Sequence, residues 1–181
     1  MPTSLAEFLR DWHDFYVLAG ESSATLTGLI FVGASIGSSI FNEEHRIPIR
    51  AFLTPTVVHF AAVLFTCLVV TIPTHSWRTL GGLLGAVGLL GLAYCARLLM
   101  EIIIRHRFAV DLIDRLFYAT VPFLGYLLIS ASAGLLIIQS PASVNLMATG
   151  LLTLLVAAIR NAWDMTLWIV IRVPTIKGPP P

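Results

Sequence analysis

Five long apolar stretches dominate this chain, and each is long enough to cross a lipid bilayer as a helix. A helix needs about 20 mostly apolar residues to cross the hydrocarbon core. The stretches are Phe15–Phe41, Ala51–Ile72, Thr79–Ile104, Leu116–Ile138 and Ala142–Ile171. Only 12% of the residues are charged, against roughly a quarter in a typical soluble domain. We therefore predict an all-α fold, a polytopic membrane helix bundle of about five transmembrane helices.

The segments between these stretches are short, so one membrane domain accounts for nearly the whole chain. The 181 residues have a mean hydropathy of +0.87, which leaves no room for a soluble domain of ordinary size. Ser4 and Glu7 have capping-box spacing ahead of apolar residues, which predicts an amphipathic helix over residues 4–14. We predict an interfacial amphipathic segment at 1–14, a transmembrane domain at 15–173 and a disordered Pro-rich cytoplasmic tail at 174–181.

The basic residues between the spans predict the orientation of the chain. Only Arg10 and Arg78 fall on one side of the predicted spans. The other side holds Arg46, Arg50, Arg105, Arg107, Arg115, Arg172 and Lys177. Because short cytoplasmic loops are enriched in Lys and Arg, the crowded side should be cytoplasmic. The N-terminus is then outside and the C-terminus inside.

The second and fourth stretches begin alike, which indicates an internal duplication. Arg50-Ala51-Phe52 corresponds to Arg115-Leu116-Phe117, and Pro55 and Pro122 follow at similar distances. The offset is about 65 residues, as expected if one helical hairpin is repeated after an extra first helix. Chance similarity between two apolar hairpins is the alternative.

The third and fifth stretches end alike, each with opposite charges one helical turn apart. Arg97 with Glu101 matches Arg160 with Asp164 at an offset of about 63 residues. Charges inside a bilayer persist when they are paired, hydrated or functional. We interpret both as intramembrane ion pairs that lock helices, and the alternative is an inner vestibule that contacts a solute.

The first stretch has small or polar residues along one helical face. They are Glu21, Thr25, Gly28, Val32, Ser35 and Ser39. This face is either a close packing surface between helices or a wet stripe that lines a path. Gly81, Gly85 and Gly88 of the third stretch are interpreted as packing residues alone.

His59 lies inside the second stretch and is a further candidate for the path. A lone histidine is more often hydrogen-bonded to a neighbouring helix than a metal ligand or proton relay. No second ligand stands at metal-binding spacing on that helix, so no metal site is predicted.

Motifs for metalloproteases, nucleophile elbows and phosphate-binding loops are also missing from the sequence, so we expect neither an enzyme nor a cofactor. A net charge of +1 without a basic patch does not favour nucleic-acid binding.

The sequences "LAGESSATLTGLIFVGAS", which follows Phe15 and Tyr16, and "AAIRNAWDMTLWIVIR" resemble a group of small bacterial inner-membrane proteins. Members are often labelled, by automated transfer, as modulators of a membrane-bound AAA protease. The resemblance implies the bacterial inner membrane and supplies no catalytic residues. Group members commonly carry a small residue where this chain has Glu21.

Two functions fit these observations. The first is a homo-oligomeric channel or passive transporter for small ions, with a pore lined by the first helix. The alternative is a non-catalytic membrane regulator or scaffold that binds another membrane protein through its glycine-rich faces. The expected partners are therefore the lipid bilayer, further copies of the chain and, in the alternative, another membrane protein.

The predicted orientation can be tested with a reporter fused after Lys177. The positively charged loops place this end in the cytoplasm, so a reporter active only in the cytoplasm should be active there. A fusion after Met1 should give the opposite result. A C-terminal tail labelled from outside the cell would contradict the orientation.

Overall fold

The computed structural model describes residues 5–37, 46–73, 76–105 and 116–172, and within these ranges the chain is helical with no strand. The α-helices are α1 (Leu5–Arg10), α2 (His13–Gly37), α3 (Arg46–Thr71), α4 (Trp77–Arg105), α5 (Val121–Ile137) and α6 (Ala142–Arg172). A short π-helix, Leu116–Thr120, leads directly into α5. The all-α prediction is confirmed.

Five helical segments are long and apolar enough to cross a membrane, as predicted: α2, α3, α4, the π-helix continued by α5, and α6. Three starts differ from the predicted ones: α2 begins at His13, α3 at Arg46 and α4 at Trp77. Helix formation therefore continues beyond the apolar residues into polar flanking turns. Hydropathy identifies the part of a helix that suits the bilayer, whereas hydrogen bonding determines the full length of the helix.

The π-helix before α5 has a local cause in Pro122. Proline has no backbone N–H to donate to the carbonyl four residues earlier, and its ring crowds that carbonyl, which belongs to Tyr118. Widening the preceding turn relieves this conflict. The carbonyl of Phe117 in this turn accepts a hydrogen bond from Asn161 Nδ2 of α6, at 3.4 Å.

The helices form a four-helix bundle with one further helix on its outside. α4 packs along α5, α5 along α6 and α6 along α3, and a smaller contact between α3 and α4 closes the bundle. α2 packs along α3 and touches α6 more locally. Fully buried side chains such as Phe60, Leu84, Ile129 and Leu151 occupy the centre.

Glycines on α4 allow its backbone to approach α5 closely. A Cβ at Gly88 would lie 2.9 Å from the backbone nitrogen of Ser130, and one at Gly91 would overlap the ring of Tyr126. Gly81 likewise faces Ile137 and Ala133. The predicted packing role of the α4 glycines is confirmed, since small residues are what let membrane helices come together.

Reciprocal glycines join α5 to α6. A Cβ at Gly150 would lie 2.9 Å from the carbonyl oxygen of Gly125, and one at Gly125 would lie 3.2 Å from that of Gly150. Each glycine thus faces the backbone of the other helix. This contact leaves no room for a side chain on either helix.

α2 is attached to α3 through small residues and one buried hydrogen bond. A Cβ at Gly20 would lie 3.1 Å from the Cβ of Cys67. One turn further along, the Ser23 hydroxyl donates to the Phe60 carbonyl at 2.6 Å. Cys67 and Cys95 are both buried, and neither forms a disulfide.

The helix order has the two hairpins that the duplication predicts, α3–α4 and α5–α6. The first helix of each hairpin packs on the second helix of the other, as a two-fold relation requires. The hairpins differ internally, because α5 and α6 share a long contact whereas α3 and α4 touch only locally. The duplication itself stays a prediction.

α1 lies across one end of the bundle. It ends at Arg10, and residues 11–12 form a turn before α2, so the helix predicted over residues 4–14 is divided in two. Phe8 contacts Trp77 at the start of α4, with ring centroids 5.2 Å apart. The predicted tail at 174–181 lies outside the described residues.

The glycine contacts predict opposite effects for two matched substitutions on α4. Gly88→Ala should destabilise the protein by about 1–3 kcal/mol, because its methyl group meets the backbone of Ser130. Gly82→Ala meets nothing within 4 Å and should be neutral or stabilising, since alanine is the better helix former. Thermal unfolding of the two variants in detergent measures both effects. Equal melting temperatures would contradict this account of the α4–α5 contact.

Candidate functional site

The candidate site is the side of α2 that faces away from the bundle. Tyr16, Ala19, Gly20 and Ser23 are buried at helical spacing and face α3. The opposite side carries the exposed residues Glu21, Thr25, Gly28, Val32 and Ser35, which we call the α2 outer face. The sequence pattern placed these residues on one face, and the structure leaves that face uncovered. Ser39, the last predicted member, lies outside the described residues.

Glu21 is the charged group of the α2 outer face. It lies eight positions after the start of the helix, which corresponds to about 12 Å along the axis. Its side chain has no salt bridge to any described residue. A charge at the centre of the hydrocarbon costs on the order of 3 kcal/mol, and the cost falls toward the surface. An exposed carboxylate at this level therefore needs water, a proton or another chain beside it.

The other members of this face are small or weakly polar. The Ser35 hydroxyl donates to the Phe31 carbonyl at 2.8 Å, so it is satisfied within its own helix. A Cβ at Gly28 would meet nothing within 4 Å. Thr25 is exposed one turn from Glu21. Large apolar side chains border the face, including those of Leu18, Leu29 and Phe31.

His59 is not on this face. It is fully buried in the bundle, and its Nδ1 lies 3.0 Å from the Tyr126 hydroxyl of α5. Tyr94 of α4 packs edge-on at 6.3 Å between ring centroids. The Nε2 atom has no hydrogen-bond partner among the described residues. The structure thus separates His59 from the exposed path residues and joins it to a neighbouring helix.

The Arg160–Asp164 pair is present on α6. Arg160 Nε lies 3.0 Å and 3.2 Å from the two carboxylate oxygens of Asp164, and both side chains are about 40% exposed. The guanidinium carbon also lies 5.0 Å from the centre of the Phe117 ring. Together with the Asn161–Phe117 hydrogen bond, this contact ties α6 to the π-helix before α5. The roles of Phe117 and Asn161 were not predicted, because they depend on how two distant helices align.

Arg97 and Glu101 occupy a different setting. Both are exposed on α4, outside the core of the bundle. Their exposure contrasts with the position of Arg160, which lies over an aromatic ring of a neighbouring helix. The two motifs that look equivalent in the sequence therefore have different surroundings. No group of three or more potential metal ligands occurs among the described residues.

An apolar cleft lies beside the α2 outer face. It encloses about 380 Å³ between α2, α3 and α6. Ile30 and Gly33 of α2, Phe60 of α3 and Trp163 of α6 contribute to its walls.

No family model, curated protein or solved structure matches this chain. The resemblance to small bacterial inner-membrane proteins therefore stays a prediction, and the functional argument depends on the geometry of the chain itself.

A charge exchange tests the Arg160–Asp164 pair. Either Arg160→Asp or Asp164→Arg alone places like charges one turn apart and should destabilise the protein by about 1 kcal/mol. The double variant restores opposite charges and should recover part of this loss, but it cannot restore the contact with Phe117. Detergent melting curves of the four proteins give the coupling energy. A double variant as unstable as the sum of the singles would contradict the pairing.

Proposed function

We propose that this protein is a homo-oligomeric membrane channel for small cations, with the α2 outer face of each copy turned toward a shared axis. The observation that carries the proposal is the exposed carboxylate of Glu21 at membrane depth. Contact with lipid is unfavourable for that carboxylate, whereas water along an axis between copies would solvate it. The described centre of each copy is filled mostly by apolar side chains, so the path runs between copies rather than through one.

The proposed path prefers cations because of its charge. One Glu21 from each copy would form an acidic ring near the end of α2 that carries α1. Rings of carboxylates raise the local concentration of cations at a pore entrance. Thr25 and Ser35 add hydroxyl oxygens along the same face, and Gly28 keeps the path wide. Selectivity is expected to be weak, since the ring provides charge without a narrow cage of ligands.

The proposed location is the bacterial inner membrane, with the N-terminus outside and the C-terminus in the cytoplasm. The distribution of Lys and Arg supports this orientation. The acidic ring then lies toward the outer mouth of the path. Cations would meet it first on entering from outside.

The alternative function is a non-catalytic regulator or scaffold that binds a helix of another membrane protein. The observation that favours it is the open space beside Gly28 and Gly33, where an added Cβ would meet nothing within 4 Å. Exposed glycines on a spanning helix allow a second helix to approach closely. In this case Glu21 would be neutralised by the partner rather than by water.

Ion flux from liposomes tests the channel. Purified protein should release entrapped K⁺ faster than empty liposomes do, and Glu21→Gln should reduce the preference for K⁺ over Cl⁻ several-fold by removing the acidic ring. Thr25→Val should lower the flux, because it replaces a hydroxyl with a methyl group on the proposed path. Thr149→Val on α6 is the matched control, since Thr149 is also exposed but donates to the Asn145 carbonyl within its own helix.

The control should conduct like the parent. Absence of parent flux, or equal flux and selectivity in all four proteins, would contradict the channel and favour the regulator.

Chemical crosslinking of the Gly28→Cys variant adds an independent measurement. Crosslinked dimers and larger species support self-assembly through the α2 outer face, whereas a strictly monomeric protein contradicts it.

A further inference from the structure

A second cavity lies under α1, at the end of the bundle where the spanning helices begin and end. It encloses about 210 Å³ between α1, the first turn of α2 and the last turn of α3. Leu5, Leu9 and Val70 supply apolar walls. Arg10, His13 and Tyr16 also line it. Because the candidate spans end at these residues, the cavity lies at the level of the lipid headgroups.

The charges around α1 are divided between its two sides. Arg10 and His13 border this cavity, whereas Glu7 and Asp11 border a separate recess on the other side of α1, next to Asn145. The remaining nearby carboxylate, Asp14, contacts His13 Nδ1 at 3.3 Å and is fully exposed. Arg10 is therefore the charged group that the cavity side of α1 presents to a ligand, since His13 is in contact with Asp14.

Tyr16 adds a polar group of a different kind. Its side chain is 1% exposed, and its hydroxyl has no hydrogen-bond partner among the described residues. A buried hydroxyl without a partner is unfavourable, and a molecule bound beside it is one way to supply the missing hydrogen bond. A phosphate oxygen accepts hydrogen bonds from a phenol and from a guanidinium alike.

We propose that this cavity binds the phosphate headgroup of an anionic phospholipid, with Arg10 as the main cation and the Tyr16 hydroxyl as a second donor. The apolar walls accept the glycerol backbone and the first carbons of the acyl chains. Their position beside α2 and α3 lets the rest of each chain continue into the bilayer. A phospholipid contacts both the apolar walls and the polar groups of the cavity, whereas a free anion contacts the polar groups alone. The site is independent of the proposed conduction path, because Tyr16 and Glu21 lie on different sides of α2.

Ligand-dependent thermal unfolding of the full chain in detergent tests this site. Phosphatidylglycerol added to the micelles should raise the melting temperature in a saturable manner, because a ligand that binds only the folded state stabilises it. Phosphatidylcholine should have a smaller effect. Arg10→Gln should weaken the apparent affinity for phosphatidylglycerol about tenfold, the size expected for a charge-assisted hydrogen bond.

Two further variants separate binding from folding. Arg78→Gln is the matched control, because Arg78 is exposed at the same end of the bundle but does not border the cavity. Its affinity should equal that of the parent. Tyr16→Phe should leave the lipid-free protein equally or more stable, since it removes a buried hydroxyl without a partner, and should still weaken lipid binding several-fold.

Three results would overturn the proposal. The first is equal stabilisation by phosphatidylglycerol and phosphatidylcholine, and the second is equal loss of affinity in Arg10→Gln and Arg78→Gln. The third is stabilisation by inorganic phosphate as strong as that by phosphatidylglycerol, which would assign the site to a free anion instead of a lipid. Loss of conduction has no bearing on any of these measurements, so this site and the proposed channel are tested separately.

Discussion

Close approach of helix backbones is the constraint on which the bundle depends. Inside a bilayer, lipid tails are as apolar as leucine side chains, so helices gain little from burying leucine and associate through fitted contacts. Here the fit comes from positions without a side chain: Gly88 against the Ser130 backbone, and Gly125 against Gly150. These contacts fix the spacing of α4, α5 and α6, and that spacing in turn brings Tyr126 to His59 and Phe117 beneath Arg160.

The sequence was sufficient for several features that depend on one helix alone. Apolar length gave the five spans, and helical periodicity placed Glu21, Thr25 and Gly28 on a single face. The Arg160–Asp164 pair was also predictable, because residues four apart on a helix are neighbours whatever the helix packs against. In each case the relevant residues lie on a single helix, so no knowledge of the fold was required.

Features that depend on the alignment of two helices could not be predicted. The partner of His59 is 67 residues away, and the carbonyl that Asn161 binds is 44 residues away. Sliding either helix by one turn along its neighbour would pair these side chains with different groups. Nothing in an apolar sequence specifies how the two helices align. The same reason explains Arg97 and Arg160: α4 and α6 both contact the π-helix, but it is Arg160 of α6 that lies over the Phe117 ring, so similar local motifs have different surroundings.

Exposure alone does not identify a functional surface in such a protein, and a comparison of α2 with α4 shows why. Both spans are only 22% buried within the described bundle, against 56% for α6. The exposed side of α4 within the span includes Leu83, Leu89 and Leu90, for which lipid is a satisfactory neighbour. The opposite charges of α4, Arg97 and Glu101, stand one turn apart at the end of the span. The exposed side of α2 carries Glu21, for which lipid is not a satisfactory neighbour. Equal exposure therefore has different consequences, and α2 is the helix whose outer face calls for water, a second copy or a partner helix.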